Sequence, residues 1–320
     1  MIEAQPPVVS IIVPVYNRPL LVREAIASAL ANANGVPLEV IVVDDASTDD
    51  TWESVDSYRD ARVRAMRMER NSGQSAARNR GLDTSRGTFV KYLDSDDILM
   101  AEHLEREVRA LQQSASEIAV SGWLSETSGH TREFSPPRFT SIVDDVLAGL
   151  AVPTSAALYL RRSDWRWDPE LKKLDDWDYF VQAALSATSI ATVDGAAYCM
   201  RDPASPRASG AGILINALEH HRILHKMEDR LAASGLLTAA RRRRLAQYFY
   251  KELRVLSLHD RPAFEAGVAH VFALDSAFVP RDEERQWWMR IAARLLGTRN
   301  AILLHCFIKR SVRRSSERQK

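Results

Sequence analysis

The sequence predicts an α/β fold with a mostly parallel central sheet flanked by helices, followed by a helical C-terminal region. Two observations predict it. In the first third of the chain, apolar runs typical of buried strands alternate with amphipathic stretches at the spacing of βαβ units. From about Ala211 onward the pattern is almost wholly helical. We therefore expect a domain over residues 1–205, with halves at 1–113 and 114–205, and a helical region over 206–320.

The first half alternates strand and helix in regular order. Its first two strands are nearly all apolar, as in strands that are buried on both faces. The strands cover residues 8–15, 38–43, 63–68 and 88–93, and the helices follow Pro19, lie near Trp52, cover 74–83 and pass through Leu104. Ligands of parallel sheets bind beyond the carboxyl ends of the strands, so functional residues are expected there. Beyond residue 114 the pattern is mixed, and residues 203–212 are the candidate linker because Pro, Ser, Ala and Gly dominate them.

Composition narrows the class of protein. The chain has 320 residues, 46% hydrophobic and 27% charged, as in an ordinary soluble globular protein. Its formal net charge of +1 does not suit a whole-molecule polyanion binder, so no nucleic-acid partner is expected. Cys199 and Cys306 stand far apart and indicate neither a zinc cage nor a disulfide framework. A polar start and the lack of a run of about 20 apolar residues predict a cytoplasmic protein.

The first two strands end in residues suited to a nucleoside. Pro14, Tyr16 and Asn17 close the first strand, and the Tyr16 ring can either stack on a flat base or pack under the next helix. The second strand ends at Asp44 and Asp45. Two adjacent acids at a buried strand end are costly without a partner, and a carboxylate there can accept a hydrogen bond from a base N–H.

A glycine-containing segment precedes the third helix. Small residues around Gly73 let the helix begin close to a ligand. The positive helix N-terminus and Arg78 together favour an anionic phosphate. A glycine turn followed by a helix with solvated arginines explains the same residues.

The fourth strand ends in three acids within four residues. These are Asp94, Asp96 and Asp97, with Ser95 between them. Such a cluster needs cations, and oxygen-only ligands suit Mg²⁺ or Mn²⁺, which can also bridge a diphosphate. The alternative is a capped helix start at residues 95–97.

A second acidic run comes before a helical stripe in the second half. It consists of Asp175, Asp176 and Asp178 around Trp177. Helix N-termini stabilise ionised carboxylates, and a carboxylate that faces a cleft can take a proton from an attacking hydroxyl. Plain capping of the helix by Asp175 or Asp176 is the alternative.

In this order and spacing, the segments resemble the family 2 glycosyltransferases, which have the GT-A fold. The resemblance covers roughly residues 8–205. The matching segments are residues 9–17, 42–49, 71–73, 77–79 with Gly81, and 94–97. The resemblance implies an inverting transfer of a sugar from a nucleotide-diphosphate sugar, by default a UDP-sugar, with Mn²⁺ or Mg²⁺ as cofactor.

The resemblance also implies a role for each matching residue. Asp94 and Asp96 form the DxD pair that holds the metal, and Asp176 is the catalytic base. The nucleotide is held by Pro14, Tyr16, Asn17, Asp45, Arg78, Asp94 and Ser95. Asp175, Trp177 and Arg201 stand on the acceptor side.

The sequence departs from the family pattern at two positions. Asp175 replaces the usual Glu, which shortens the arm toward the acceptor. Many members carry a His shortly after the position of Tyr198, whereas here Arg201 is placed to meet the diphosphate. The expected acceptor is a glycan or a lipid-linked glycan of cell-surface polysaccharide or lipopolysaccharide synthesis.

Two other interpretations stay open. A nucleotidyltransferase usually has a Gly-rich loop with Arg and Lys after its first strand, where this chain has residues 14–17 without them. A catalytically degenerate scaffold that binds sugar nucleotides keeps the fold without the chemistry. The intact acids Asp45, Asp94, Asp96 and Asp176 argue against a scaffold.

The C-terminal region carries two weaker patterns. His221 and His225 have a zinc-binding spacing, but no third ligand is near in sequence, so surface histidines are expected. Residues 281–320 hold 11 Lys and Arg against 4 Asp and Glu, a net of +7, interleaved with aromatic residues. This composition favours peripheral contact with the inner face of the cytoplasmic membrane, or packing on the catalytic domain or on a second subunit of an oligomer.

Overall fold

The computed structural model describes residues 6–33, 35–201, 213–279 and 297–303. The contacts of the chain fall into two compact units, Met1–Arg207 and Ala208–Lys320. The predicted linker and most of the basic segment 281–320 lie outside the described residues, so the predicted boundary at 205 and the membrane contact stay predictions. Among the described residues, no helix is both long and apolar enough to cross a membrane.

One sheet organises the N-terminal unit. Over the described residues its strands are β1 (Val9–Val15), β2 (Leu38–Asp44), β3 (Val63–Arg67), β4 (Phe89–Tyr92), β5 (Ile98–Leu99), β6 (Ile118–Thr127), β7 (His130–Phe134), β8 (Ala157–Leu160) and β9 (Ile190–Met200). Their order is β3-β2-β1-β4-β8-β6-β9-β5, with β7 paired to β6. The helices of this unit are α1 (Leu21–Ala31), α2 (Thr51–Asp56), α3 (Gln74–Thr84), α4 (His103–Ser114), α5 (Ile142–Leu147) and α6 (Asp175–Ser186).

The sheet changes character halfway across. Strands β3, β2, β1 and β4 run parallel, as the strand–helix alternation predicts. Beyond them, β8 runs antiparallel to both β4 and β6, whereas β6 and β9 are parallel. The predicted α/β class is confirmed, with parallel pairing concentrated in the first half. Because β1, β2 and β4 are parallel neighbours, their carboxyl ends meet at one edge of the sheet.

The core beneath this edge is mostly apolar, and it includes the buried ion pair of Lys91 and Glu107. Every residue of β1 and β2 is buried. Helix α3 lies so close to β1 that a Cβ added at Gly81 would stand 2.4 Å from Cγ2 of Ile12. On β4, the buried Lys91 ammonium donates to both carboxylate oxygens of Glu107 on α4, at 2.7 and 3.0 Å. A buried charge is tolerated only when it is paired in this way.

The C-terminal unit is helical, as predicted. Its helices are α7 (Ile213–Ala233), α8 (Ala239–His259) and α9 (Arg261–Leu274). Asp260 caps α9 by accepting a hydrogen bond from the backbone N–H of Ala263 at 3.0 Å, which satisfies a free donor of the first turn. Phe249 of α8 is fully buried. Burial and the neighbouring imidazoles of His225 and His270 lower the pKa of His221 to about 4.

Candidate active site

Asn17 ties the carboxyl end of β1 to the loop after β2. Its backbone N–H donates to Oγ of Ser47 at 3.0 Å, and its side-chain oxygen accepts from the backbone N–H of Thr48 at 2.8 Å. Asn17 has a φ of 51°, a left-handed conformation that Asn tolerates better than most residues. The neighbouring Tyr16 is exposed, whereas Pro14 is buried inside the strand. Of these three residues, Tyr16 and Asn17 are exposed, and the side chain of Asn17 is already hydrogen-bonded to Thr48.

Asp45 holds the loop that precedes α3. Its two carboxylate oxygens accept hydrogen bonds from the backbone N–H groups of Ser72 and Gly73, both at 2.8 Å. Burial raises the pKa of Asp45, and the two N–H groups oppose that rise. The adjacent Asp44 is buried and has a different partner, because it pairs with Nε of Arg67 at 3.2 Å. The two acids of the second strand end are thus separated, and only Asp45 reaches the glycine loop.

Arg78 is the hub of the site. Its buried guanidinium donates to Oδ1 of Asp94 at 2.6 Å and to Oδ2 of Asp175 at 2.8 Å. It also lies over the ring of Trp167, with 4.2 Å between the guanidinium carbon and the ring centroid. A single cation on α3 therefore joins the end of β4 to the start of α6. The two acidic runs, 78 residues apart in sequence, meet through this arginine.

The acids after β4 have different environments. The side chain of Asp94 is 42% exposed, and Arg78 contacts only its Oδ1. Asp96 is buried, and its Oδ2 pairs with a guanidinium nitrogen of Arg18 at 2.8 Å. Ser95 and Asp97 are also buried. No role was predicted for Arg18 from the sequence, although its place shortly after the end of the first strand was a signal that could have indicated one.

Arg201, at the end of β9, reaches the same turn from the far side. Its Nε donates to the backbone carbonyl of Asp96 at 2.6 Å, and its backbone N–H donates to Oδ1 of Asp97 at 3.2 Å. The guanidinium also pairs with Glu24 of α1, while its second terminal nitrogen is buried without a protein partner among the described residues. Arg201, near the position where the family's His is missing, thus lies beside the acidic turn, and its contact with a diphosphate stays a prediction.

Asp175 and Asp176 point in different directions from the start of α6. Asp175 is buried, and besides Arg78 it accepts hydrogen bonds from the side chains of Gln74 and Ser75 on α3, each at about 2.9 Å. This places Asp175 against the first half rather than on an open acceptor surface. Gln74 and Ser75 were not singled out in the sequence, because nothing local indicates that their partner lies 100 residues further along the chain. Trp177 is buried.

Of the three acids in the first turn of α6, Asp176 is the one that is exposed to solvent. It is exposed to solvent although protein surrounds it densely, which places it on a concave part of the surface. Burial raises the pKa of Asp176 to about 6, and repulsion from Asp175 adds to the rise. The backbone N–H of Trp177 donates to its Oδ1 at 2.8 Å. A carboxylate with a pKa near neutrality is suited to general-base work.

The donor set at the sheet edge fits a divalent cation. Asp94 and Asp96 offer only oxygen atoms, which Mg²⁺ and Mn²⁺ prefer. Both carboxylates are already held by guanidinium groups, those of Arg78 and Arg18, so this corner is built to bind positive charge. The exposed fraction of Asp94 leaves its second oxygen accessible.

The sequence of this chain is similar to those of known glycosyltransferases. Residues 10–167 match the family described as Glycosyl transferase family 2. The succinoglycan biosynthesis protein ExoO of Rhizobium meliloti (strain 1021) is 40% identical over 114 residues, which are 36% of this chain and 32% of ExoO. The enzyme WfaP of Escherichia coli, named as a UDP-Glc:alpha-D-GlcNAc-diphosphoundecaprenol beta-1,3-glucosyltransferase, is 31% identical over 104 residues, 32% of this chain and 41% of WfaP. The aligned region therefore spans less than half the length of either relative.

A solved structure extends the similarity over nearly the whole chain. TarS residues 1–349 of S. aureus, in complex with UDP-GlcNAc, superpose with a TM-score of 0.71 at 21% identity, covering 96% of this chain and 92% of that one. At this identity the likeness shows the fold, and it confirms the predicted fold class together with a helical C-terminal part.

Proposed function

We propose that this chain, whose residues 10–167 match glycosyl transferase family 2, is an inverting glycosyltransferase. Its donor is a nucleotide-diphosphate sugar, by default a UDP-sugar, and its acceptor is a hydroxyl of a glycan or lipid-linked glycan. The observation that carries the proposal is the junction at Arg78, where the acids that follow β4 meet the acids that begin α6. Donor-side and acceptor-side groups are thereby held within one network.

The biological setting is proposed from the relatives. ExoO is named for succinoglycan biosynthesis, and WfaP is named for transfer from UDP-Glc to a diphosphoundecaprenol-linked sugar. Both names refer to the building of glycans, the second on a lipid carrier. From these relatives we propose cell-surface polysaccharide or lipopolysaccharide synthesis as the setting of this chain.

On the donor side, the exposed ring of Tyr16 stacks on the base. The Asp45 carboxylate holds the glycine loop and retains lone pairs for a base N–H, because each carboxylate oxygen accepts more than one hydrogen bond. Arg78, Arg18 and Arg201 supply positive charge beside the acidic turn where a diphosphate would lie. Asp94 and Asp96 would hold a divalent metal ion. When bound, that ion supplies charge stabilisation for the departing diphosphate.

The chemical step follows from the position of Asp176. Its carboxylate takes the proton of the acceptor hydroxyl while the hydroxyl oxygen forms a bond to the anomeric carbon. The bond between that carbon and the diphosphate oxygen breaks at the same time, and the nucleoside diphosphate leaves with the electron pair. Because attack comes from the face opposite the leaving group, one displacement inverts the anomeric carbon.

The test is Asp176→Asn, an isosteric change that removes the base. The readout is release of UDP from UDP-glucose or UDP-N-acetylglucosamine in the presence of Mn²⁺. A general base contributes about 10²–10⁴-fold, so we expect a rate loss of that size. Binding of UDP, followed by tryptophan fluorescence, should be unchanged because Asp176 does not belong to the proposed nucleotide site.

Asp194→Asn is the matched control. It makes the same chemical change at an exposed acid of β9 whose side chain pairs with the exposed Arg138, away from the proposed nucleotide site. Normal turnover by Asp176→Asn would refute the assignment of the base. UDP binding without any UDP release by the unmutated chain would instead favour the degenerate scaffold, and release of pyrophosphate from a nucleoside triphosphate would favour the nucleotidyltransferase.

A further inference from the structure

Three imidazoles and a carboxylate gather on one side of the C-terminal unit. His221, His225 and Glu228 follow one another at spacings of four and three residues on α7, so they share a face of that helix. His270 of α9 joins them, with its ring centroid 4.5 Å from that of His225. Nε2 of His270 lies 2.7 Å from Oε2 of Glu228, and Nδ1 of His225 lies 4.0 Å from the same oxygen. The third ligand that the sequence lacked therefore comes from a helix 45 residues away.

One side of the cluster packs against the buried ring of Phe249. The buried ring of Phe249 on α8 lies 4.8 Å from the ring of His225 and 4.8 Å from that of His270, measured between centroids. His221 meets the same ring in a T-shaped arrangement, with 5.0 Å between the centroids. His225, Glu228 and His270 are each partly exposed, so an ion can reach them from solvent. Because the imidazoles of His225 and His270 both pack against Phe249, we expect this ring to keep them close together.

A fourth group stands next to these three. Nε2 of His221 is buried and has no hydrogen-bond partner among the described residues. It lies 3.4 Å from the place where a Cβ at Gly267 would stand, one turn before His270 on α9. The same Cβ would stand only 2.3 Å from Cδ2 of Leu253, so the absence of a side chain at Gly267 lets Leu253 of α8 and His221 of α7 pack closely against α9.

We propose that His225, Glu228 and His270 form a binding site for one divalent transition metal ion, with Zn²⁺ as the favoured occupant. One ligand atom from each of the three residues can be chosen so that all lie within 4.8 Å of one another. Around Zn²⁺, with bonds of about 2.0–2.1 Å, tetrahedral ligand atoms stand roughly 3.4 Å apart, so a modest rotation of His225 closes the set. Two imidazoles and one carboxylate are ligands that zinc accepts, whereas the oxygen-only corner at Asp94 and Asp96 suits harder cations.

The ion would join α7 to α9. Any ligand that binds the folded unit and not the unfolded chain stabilises the fold in proportion to its saturation. The alternative is that Glu228 and His270 form a plain hydrogen-bonded pair with His225 as a bystander. The two alternatives differ in whether the three residues bind a metal ion together, because a hydrogen-bonded pair has no need for His225.

The experiment uses Co²⁺ as a spectroscopic substitute for Zn²⁺ in the full chain. Asp96→Asn serves as the background protein, because it removes one carboxylate of the oxygen-only site and changes no residue of the C-terminal unit. We expect visible ligand-field absorption that saturates at one Co²⁺ per chain and disappears when an equimolar amount of Zn²⁺ is added. His225→Asn and His270→Asn should each weaken Zn²⁺ binding by more than about tenfold, the lower range of losses seen when metal-site partners are removed.

His220→Asn is the matched control, because His220 neighbours the cluster on α7 but pairs with Glu252 of α8 instead. It should bind Zn²⁺ as the background protein does. Circular dichroism of each variant without metal separates loss of a ligand from loss of the fold. No saturable Co²⁺ absorption in the background protein would overturn the proposal, as would unchanged Zn²⁺ affinity in the folded His225→Asn and His270→Asn variants.

Discussion

The acidic edge of the sheet and the histidine cluster of the helical unit both gather ligand groups, but they do so by opposite means. At the edge, Asp45 and Asp94 follow the carboxyl ends of β2 and β4, which lie on either side of β1 and run parallel to it. In the cluster, His225 meets His270 because two helices share the buried ring of Phe249. The first arrangement follows from sheet topology, and the second follows from helix packing.

This difference has an energetic counterpart. The acids of the edge are tied by a buried arginine, with side-chain exposures of 3% for Arg78 and 6% for Asp175. Removing one partner of such a pair leaves an uncompensated buried charge. The histidines of the cluster are partly exposed. Replacing one of them with a neutral side chain is therefore expected to cost little free energy of unfolding. We therefore expect the edge to couple function to stability, and the cluster to keep them separate.

The largest effect should follow from Arg78→Gln, which removes the cation between Asp94 and Asp175. Breaking a buried ion pair typically costs about 3–5 kcal/mol of unfolding free energy, so the urea midpoint of the N-terminal unit should fall markedly. Arg80→Gln on the same helix is the control, because Arg80 is exposed. Equal urea midpoints for the two variants would show that Arg78 does not hold the edge together. The edge and the histidine cluster would then not differ in how function is coupled to stability.

The next effect concerns the pH dependence of transfer. The base must be ionised, and the pKa of Asp176 is raised to about 6, so the rate should be constant above that value and fall about tenfold per pH unit below it. The profile of kcat/KM for UDP release measures this limb. The His225→Asn profile should superimpose on it, since the cluster takes no part in the chemistry. An activity that stays level down to pH 5 would contradict Asp176 as the titrating group.

The smallest effect is a gain in stability from Asp176→Asn. A carboxylate whose pKa rises from 3.8 to about 6 on folding is less stable in its charged form when folded. The resulting penalty is absent below about pH 4, grows as the pH rises through 6 and is constant above. Because Asp176 is exposed, the gain should be modest, roughly 1–2 °C in Tm at pH 8, and should vanish toward pH 4. A lower Tm at pH 8 would show that the acid stabilises the fold.

The sequence was sufficient to predict the location of a residue wherever that location follows from its place at the end of a strand or at the start of a helix. Asp94 and Asp96 were expected at the carboxyl edge and lie there, because a buried parallel strand has few alternative places to end. The start of α6 at Asp175 was also predicted from its stripe of apolar residues. The two-residue strand β5 and the β6–β7 hairpin were missed, since neither forms an apolar run long enough to detect.

The sequence was insufficient wherever a side chain is oriented by a distant partner. Asp175 was expected on the acceptor side, yet Arg78 and Ser75 of α3 hold it toward the first half. Local pattern cannot tell Asp175 from Asp176, because both begin the same helix turn. His270 likewise carries no local sign of its neighbour Glu228. These orientations depend on packing between elements, which periodicity does not encode.

The pairing of Asp96 with Arg18 and of Asp94 with Arg78 has a consequence for the order of events at the site. In the proposed mechanism, a cation arriving alone must compete with two guanidinium groups for the same oxygens. A cation that arrives together with a pyrophosphate brings those arginines a replacement anion, so each entering species opens the way for the other. Through this exchange of counter-ions, bound metal raises the affinity for the nucleotide and bound nucleotide raises the affinity for the metal. Each of the two alone binds more weakly.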